Sequence, residues 1–347
     1  MNKSILQGIP KDLDKVLSFE SIVSPVNVYL KNLDDYLLLQ VDSLEPEVQE
    51  QVNYVLSHSG KRLRPILVAY SGLQEGFESN QDLIRLGAIL ELVHLATLVH
   101  DDILDEATVR HGTPTVAAKY GKDAAVLVGD VLFAHALCLA SEYETTEICR
   151  SVARATSLVC TGEISQTYSK RVLNFDRDHY YRIIKLKTAE LFAVACELGA
   201  TVSNKSSDKI EGLRAFGMHL GCAYQIFDDI VDLFAEEAQI GKTLGTDLEN
   251  GKFTLPLIVL MESLAHEERE EWINLYLEGN VKIATNSLEK QLGNYPIVNM
   301  VKVEFDECIE NAYSSLGALS DKEAKPFKQI AESVSYTHLR AHETSNH

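Results

Sequence analysis

The sequence predicts an all-α fold, a single-domain helical bundle, on three observations. Apolar residues recur three and four positions apart along nearly the whole chain, which is the period of an amphipathic helix. Segments that alternate apolar and polar residues between turn signals, as strands do, are nearly absent. The 347 residues include only eight prolines and no low-complexity linker between two halves. We therefore predict one domain over residues 1–334.

Taken in chain order, turn signals divide the helical pattern into segments. Pro65 lies at the start of a helix, where its missing N–H costs little. Gly112 and Pro114 end the long helix that begins near Asn80, and the stretch 239–251 is a predicted glycine-containing loop. We predict helices over residues 26–43, 46–58, 63–75, 80–106, 122–143, 146–169, 176–200, 207–235, 251–264, 267–277, 281–292 and 296–319.

Both ends of the chain and its apolar runs bear on location. The segment 335–347 has no apolar stripe, and we predict a disordered tail or a sequence scar there. The first residues lack the apolar run of a signal peptide, and the longest apolar stretches are interrupted before they reach spanning length. The six cysteines form no C-x-x-C pair, so we expect free thiols in a reducing compartment. The expected location is the cytoplasm.

The charge balance is strongly acidic. The chain carries 51 Asp and Glu against 32 Lys and Arg, a formal net charge of −19. Nucleic-acid binding requires a basic footprint on the protein, so we do not expect nucleic acid as a partner. An acidic surface keeps a protein soluble and can collect divalent cations, and 46% hydrophobic residues suffice for a sizeable core.

Two segments share the pattern D-D-x-x-D, each toward the C-terminal end of a long apolar helix. They are HDDILD at 100–105 and FDDIVD at 227–232. On a helix the first and last aspartates of this pattern lie one turn apart, so Asp101 and Asp105 are predicted to point the same way. The candidate metal ligands are Asp101, Asp102, Asp105, Asp228, Asp229 and Asp232.

Carboxylates so close together are unfavourable unless a cation neutralises them. Two like charges ~4 Å apart repel by roughly 4 kcal/mol at an effective dielectric of about 20. Aspartate is a mediocre helix former, and near a helix C-terminus it meets the unfavourable end of the dipole. One such motif is as often a solvated acidic face as a site. Two copies with apolar residues in their gaps favour a site for Mg²⁺, which prefers carboxylate oxygens together with phosphates and water.

Basic residues occur beside both motifs, as a diphosphate site requires. The segment GKRLRP at 60–65 concentrates three positive charges at a predicted helix N-terminus, where backbone N–H groups also favour anions. Taken one at a time, each Lys or Arg is more often a solvated surface charge. His94 shares the helix face that leads to Asp101 and is otherwise an ordinary core histidine. The basic candidates are Lys61, Arg64, Arg110, His111, Lys187, Lys242 and Lys252.

These motifs resemble those of the trans-isoprenyl diphosphate synthase (polyprenyl synthetase) family, in order and spacing, over roughly residues 20–330. The resemblance implies an isoprenoid-synthase helical bundle around a deep central cavity, usually dimeric, with the aspartate motifs facing each other. The matching stretches are GKRLRP at 60–65, HLATLVHDDILDEATVRHGTPT at 94–115, LVGDVLFA at 127–134, GEISQ at 162–166, KTAELF at 187–192, YQIFDDIVD at 224–232 and GKTLGTDLENGKFTLP at 241–256.

The resemblance also implies residue roles. Asp101, Asp102, Asp105, Asp228 and Asp229, with Asp232 nearby, would coordinate Mg²⁺, up to three ions per site. Arg110, Lys187 and Lys242 would hold an allylic diphosphate. Lys61, Arg64 and His94 would hold the diphosphate of isopentenyl diphosphate. Further polar contacts in the cavity are expected from Gln225 and Thr188, with His111 and Lys252 completing the substrate-binding set. The catalytic set is Asp101, Asp102, Asp105, Lys187, Asp228 and Asp229.

The implied reaction follows from charge. Metal ions and lysines neutralise the leaving diphosphate of the allylic substrate, farnesyl or geranylgeranyl diphosphate, so that an allylic carbocation forms. The double bond of isopentenyl diphosphate attacks it, and a proton is lost to the released diphosphate. Water must be excluded, because it would trap the cation. Peripheral association with a membrane is expected at product release.

The chain departs from the family pattern at one position. Many members carry two adjacent arginines after the first motif, and the second is His111 here. Histidine titrates near neutrality whereas arginine stays charged, so we expect weaker or more pH-dependent binding of isopentenyl diphosphate.

Product length is the least determined property. In the family, bulky aromatic residues just before the first motif give short products, and this chain has Ala96 and Thr97 there. The small residues favour a long-chain product, with Phe133 or a deeper side chain as the end of the tunnel. Thr97 lies one turn from Asp101 on its face, but Ala96 is rotated about 140° away, so the argument for Ala96 comes from the resemblance.

Other functions stay open at this point. The chain could be a medium-chain (farnesyl or geranylgeranyl) diphosphate synthase. A class I terpene cyclase shares the fold, but its second metal motif normally carries Asn or Asp, Ser or Thr, and Glu at wider spacing than residues 228–232. A regulatory subunit of a heteromeric synthase usually lacks one aspartate motif, and both are intact here. A homodimer is expected by resemblance.

Overall fold

The computed structural model describes residues 19–58, 60–110, 112–170, 172–234, 251–279 and 296–340, and it confirms the all-α prediction. The helices are α1 (Phe19–Val23), α2 (Asn27–Asp42), α3 (Pro46–Ser57), α4 (Leu63–Ser71), α5 (Gln81–Leu104), α6 (Val116–Tyr120), α7 (Lys122–Ser141), α8 (Thr146–Ser169), α9 (Arg177–Ile184), α10 (Glu190–Val202), α11 (Ser207–Phe234), α12 (Leu255–Ser263), α13 (His266–Leu277), α14 (Ile297–Ser315) and α15 (Asp321–Arg340). Three-residue 3₁₀ turns lie at Ser24–Val26, Phe77–Ser79 and Leu316–Ala318.

The long helix α5 ends eight residues earlier than its predicted stop at Gly112. It ends at Leu104, and a two-stranded hairpin, β1 (Val109–Arg110) with β2 (Thr113–Pro114), follows it. Gly112 has a φ of 76° and lies in the turn of that hairpin, a conformation that glycine adopts without strain. The glycine therefore marks a chain reversal that returns Arg110 toward the end of α5.

The predicted helix 176–200 is one continuous helical path with a change of pitch. Between α9 and α10 the residues Lys185–Ala189 form a π-helical segment, and the helix runs on to Val202. Such insertions occur frequently at functional sites. The predicted helix 251–264 begins only at Leu255, with proline in its first turn, and the predicted helix 281–292 lies outside the described residues.

At the C-terminus, helix α15 runs to Arg340. The boundary drawn at 334 from the sequence is therefore not a helix end, because residues 335–340 continue the helix. The reason is local: an exposed helix extends on backbone propensity without an apolar stripe of its own. Residues 341–347 lie outside the described part of the chain.

Two long helices carry the aspartate motifs at their C-terminal ends, and α10 packs between them. Helix α5 contacts α4, α7 and α10, while α11 contacts α10 and α14. The start of α5 is fixed by Asn80, whose side chain accepts hydrogen bonds from the backbone N–H groups of Asp82 and Leu83 at 3.0 and 3.1 Å. Both motifs consequently end on the same side of α10.

Two glycines allow the π-helical segment to approach its neighbours. A Cβ on Gly162 of α8 would lie 2.8 Å from the backbone nitrogen of Lys187, and one on Gly221 of α11 would lie 2.5 Å from the Cα of Ala189. Real Cβ atoms do not approach so closely, so any side chain at either glycine would separate the helices. The segment is thus held between α8 and α11 at close range.

Two helices, α5 and α7, are long and apolar enough to cross a membrane by length and composition alone. Helix α5 is 72% buried in its most apolar stretch and so belongs to the protein core, whereas α7 is 39% buried there. The uncovered side of α7 presents apolar residues, including Val126 and Leu127, which are 43% and 63% exposed. An apolar helix face of this kind is a surface for another protein chain as readily as for lipid.

Candidate active site

The first aspartate motif divides into a buried anchor and two more accessible carboxylates. Asp102 is 5% exposed, and its Oδ1 accepts hydrogen bonds from Nε and Nη2 of Arg110, both at 2.8 Å. Asp101 and Asp105 have side chains 17% and 22% exposed on the adjoining turns. The hairpin after α5 is what returns Arg110 to Asp102, so the predicted pairing of Arg110 with a diphosphate starts from a residue already bound to the motif.

Lysine ammonium groups hold the two accessible carboxylates. The Nζ of Lys187 lies 3.4 Å from Oδ2 of Asp101. The two oxygens of Asp105 accept from Lys170 Nζ at 3.0 Å and from Lys252 Nζ at 2.7 Å. Burial raises the pKa of Asp105, but these two ammonium groups lower it by more, and the net pKa lies below its usual range.

Lys187 is also bound by two residues of α8 that the sequence analysis did not single out. Its ammonium donates to Oε1 of Gln166 at 2.9 Å and forms an ion pair with Glu163. Burial lowers the pKa of Lys187, but Asp101 and Glu163 raise it by more, so the ammonium stays charged. Burial, and then the charge of Asp101, raise the pKa of Glu163 above its usual value.

The second motif is anchored in a parallel way. Asp229 is 3% exposed, with Oδ2 accepting from the Tyr180 hydroxyl at 2.6 Å and Oδ1 accepting from Nε2 of Gln225 at 2.9 Å. Burial, followed by the charge of Asp229, raises the pKa of Tyr180 well above its usual value, so the phenol remains a donor. Asp228 and Asp232 are half-buried on the neighbouring turns of α11.

The π-helical segment connects the two motifs. Lys187 contacts Asp101, while the next residue, Thr188, donates from its hydroxyl to Oε1 of Gln225 at 2.7 Å. Gln225 in turn donates to Asp229. A continuous chain of side-chain contacts therefore joins the first motif to the second, and the structure brings together the Asp, Lys, Thr and Gln residues that the sequence assigned to one site.

The metal prediction is compatible with this donor set. Only carboxylate oxygens are offered, which suits a hard divalent cation, and Mg²⁺ binds through one or two carboxylates completed by substrate phosphates. In the described part of the chain no three carboxylate, imidazole or thiol groups converge on one metal-sized position. The ammonium groups on Asp101 and Asp105 account for this, since each already places a cation on the carboxylate. The residues that would hold Mg²⁺ are thus Asp101, Asp105 and Asp228, while Asp102 and Asp229 position the motifs.

The predicted site for isopentenyl diphosphate lies along α4 and α5. The Arg64 guanidinium is 4.9 Å from the centroid of the Phe192 ring, and its Nε is buried without a protein hydrogen-bond partner. Burial lowers the pKa of Arg64, opposed by Glu91 and Tyr224. The same Tyr224 is influenced by Asp228, which connects Arg64 to the second motif.

Other predicted positions are less informative. Lys61 is exposed, with its Nζ 5.8 Å from the Phe19 ring centroid, and His94 is half-buried on α5. A pocket of about 490 Å³ lies beside Lys61, lined by residues of α1, α2 and the 60–62 segment, and none of its lining belongs to either aspartate motif. The deep cavity between the motifs stays a prediction. His111 and Lys242 lie outside the described residues.

The chain-length positions lie on α5 and α7. Ala96 is fully buried, and Thr97 is half-buried with its hydroxyl donating to the carbonyl of His94 at 2.6 Å. Phe133 on α7 is half-buried, with its ring centroid 5.7 Å from that of His100. Phe133 therefore packs against the residue that directly precedes the first motif.

Lys170, Glu163 and Tyr180 are the site residues that sequence reasoning missed. A periodic signal was present for two of them: residues 163, 166 and 170 recur at helical spacing on one face of α8. Tyr180 carried no such signal, because its partner Asp229 is distant in sequence.

A helical protein with paired, lysine-bound aspartate motifs is a diphosphate-handling enzyme of the isoprenoid type, and comparison with known proteins specifies the family. The polyprenyl synthetase family model matches residues 45–290, so the chain belongs to this family. It is 28% identical to octaprenyl diphosphate synthase of Escherichia coli (strain K12) over 285 residues, which are 82% of this chain and 88% of the relative. It is 34% identical to heptaprenyl diphosphate synthase component 2 of Bacillus subtilis (strain 168) over 258 residues, 74% of each chain.

Among solved structures, the chain resembles polyprenyl synthase from Caulobacter crescentus CB15 complexed with calcium and isoprenyl diphosphate. The TM-score is 0.80 at 28% identity, covering 92% of this chain and 98% of that chain. The isoprenoid-synthase fold expected from the motifs is confirmed.

Proposed function

We propose that this chain is a prenyltransferase that condenses isopentenyl diphosphate with an allylic diphosphate, head to tail and in trans geometry, to a long-chain polyprenyl diphosphate. The observation that carries the proposal is the chain of contacts Asp101, Lys187, Thr188, Gln225, Asp229, which places both aspartate motifs and their cations around one site. Relatives that make octaprenyl and heptaprenyl diphosphates support the long-chain product.

In this proposal the chain's own residues prepare the leaving group. Lys187, Lys170 and Lys252 present ammonium groups where the allylic diphosphate would lie, and they stabilise the negative charge that develops as the C–O bond breaks. Mg²⁺, when bound to the half-buried aspartates and the diphosphate, supplies further charge neutralisation. The calcium and isoprenyl diphosphate named for the Caulobacter crescentus structure support divalent-metal use.

The second substrate would bind on the α4 side. The buried Nε of Arg64 lacks a protein partner, so a diphosphate oxygen there would satisfy a polar atom that is otherwise unpaired. The guanidinium remains charged beside Glu91, as an anion contact requires. This arrangement presents the double bond of isopentenyl diphosphate to the allylic carbon from the side opposite α8.

A partner chain is a second candidate for how activity arises. The Bacillus subtilis relative is named as component 2 of its synthase, so this chain could be the catalytic part of a two-component enzyme. Its two intact motifs favour a catalytic role over a regulatory one. Activity of the purified chain alone distinguishes the two arrangements.

We also propose that the chain forms a homodimer through α7 and α8. Leu127 on α7 and Ile164 and Tyr168 on α8 are 63%, 56% and 68% exposed, and the two helices contact each other. A second copy would cover this apolar face. Light scattering on a Leu127→Glu variant should show a monomer, and an unchanged dimer would contradict this interface.

The direct test is incubation of the purified chain with radiolabelled isopentenyl diphosphate, farnesyl or geranylgeranyl diphosphate and Mg²⁺, followed by chromatography of the dephosphorylated products. Long-chain prenyl alcohols are expected. Products that stop at farnesyl or geranylgeranyl length would indicate the medium-chain alternative, and an unlabelled hydrocarbon ring would indicate a terpene cyclase. Asp101→Asn should abolish turnover, while Asp123→Asn on the exposed start of α7 should not.

A further inference from the structure

Arg62 lies in the basic segment 60–65 but has an unusual backbone. Its φ and ψ are 54° and 34°, in the left-handed region, directly before the first residue of α4. For a residue with a Cβ this conformation costs roughly 1–2 kcal/mol, and it persists only where the surroundings enforce it. The conformation sets the direction in which the chain enters α4.

The Arg62 side chain shows what enforces it. Its Nη1 donates to Oε1 of Glu91 at 2.9 Å and its Nη2 donates to Oδ1 of Asp34 at 3.1 Å. The Asp34 side chain is 55% exposed, so its ion pair is screened by water, whereas the Glu91 side chain is 3% exposed. Glu91 is therefore the fixed end of this contact, and a buried acid of this kind needs a partner.

Glu91 also acts on the neighbouring arginine. Its charge opposes the effect of burial on the Arg64 guanidinium, which has a buried Nε directed at no protein atom. Along α5, Glu91 precedes His94 by three residues, so both lie on the same face of the helix. One buried carboxylate thus neighbours every residue predicted to contact the second diphosphate, without being a ligand itself.

We propose that Glu91 is a positioning residue for isopentenyl diphosphate: by anchoring Arg62 it fixes the entry into α4 and hence the placement of Arg64 and Lys61. This inference rests on the proposed function and adds to it a residue that touches neither substrate. A purely structural acid would affect stability alone. A positioning acid affects the Michaelis constant of one substrate.

The test is steady-state kinetics of Glu91→Gln, which keeps the size and one hydrogen bond but removes the charge. The KM for isopentenyl diphosphate should rise about tenfold or more, with kcat and the KM for the allylic substrate within threefold of wild type. Calorimetric titration with isopentenyl diphosphate alone should show the same loss of affinity. An unchanged KM and affinity would overturn the inference.

The matched control is Glu190→Gln. Glu190 is another buried acid, with a side chain 7% exposed and an Arg214 nitrogen 2.9 Å away, and it belongs to α10. Both variants should lower the melting temperature, but only Glu91→Gln should change the KM for isopentenyl diphosphate. Equal KM effects in both would refute a specific role for Glu91.

A second variant covers the case in which Glu91→Gln does not fold. Arg62→Lys keeps a positive charge opposite Glu91 but lacks the forked guanidinium that reaches both acids. It should raise the same KM, and an unchanged KM would count against the inference. If wild-type protein neither binds isopentenyl diphosphate nor elongates, the proposed function itself fails. If it elongates and both variants behave as wild type, only the positioning role fails.

Discussion

Replacing Lys187 with methionine removes the one cation that contacts both Asp101 and Glu163. At 3.4 Å from Asp101 and an effective dielectric of about 20, the attraction is about 5 kcal/mol, partly offset by burial of the ammonium. In the variant the two acids face each other without a cation, and the leaving diphosphate loses a donor. Removing one such donor from a preorganised site typically lowers kcat by about 10²–10³-fold, or roughly 3–4 kcal/mol.

The assay is the condensation reaction under saturating substrates at constant Mg²⁺, with a thermal unfolding curve for each variant. The control is Lys185→Met, two residues away in the same π-helical segment but exposed to solvent, and it should retain nearly full kcat. A folded Lys187→Met protein whose kcat lies within threefold of wild type would refute the assignment of this ammonium to the leaving group. So would an equal loss in the Lys185→Met control.

Three further results are expected. Tyr180→Phe leaves a buried oxygen of Asp229 unpaired, so the free energy of unfolding should fall by about 1–3 kcal/mol and half-maximal activity should need more Mg²⁺; calorimetry and a Mg²⁺ titration check this, and an unchanged melting temperature would contradict it. Asp105→Asn should lower stability in EDTA at pH 7, because a depressed carboxyl pKa stabilises the fold above about pH 4 and that contribution disappears as pH falls through the folded-state pKa; urea unfolding at pH 7 and pH 3 should show the difference shrinking in acid, and an equal difference at both would be inconsistent with the lysine contacts. Thr97→Phe should shorten the products seen by chromatography, whereas Thr97→Ser should not, and unchanged product length would exclude this face of α5 from the tunnel wall.

The elements that sequence reasoning located correctly are those whose signal is local. Helices such as α8 and α11 follow directly from apolar periodicity, because the period is fixed by backbone geometry. The aspartate motifs were equally visible, since clustered acids on apolar helices break local preferences. Helix ends were less reliable: α5 stops at Leu104, where the charge cluster and the hairpin take over, and not at the glycine.

The parts that could not be derived depend on tertiary contacts. Lys170 and Lys252 are separated by 82 positions, yet they bind the two oxygens of one carboxylate, Asp105. Periodicity contains no such pairing. Tyr180 belonged to a predicted helix, but its hydroxyl partner is on α11 and was not inferable from spacing. The π-helical insertion, which rotates Lys187 toward the first motif and Thr188 toward the second, has no recognised sequence signature.

The donor count of Lys187 constrains how this site can take a diphosphate. An ammonium has three N–H donors, and here Asp101, Glu163 and Gln166 are its three acceptors. A phosphate oxygen can therefore reach Lys187 only if one of these contacts is released. Asp101 is a predicted metal ligand, so Mg²⁺ binding would free the ammonium by taking over that carboxylate. Metal and diphosphate binding at Lys187 are then coupled: each removes the obstacle to the other, and neither the lysine nor the aspartate is left unpaired in between.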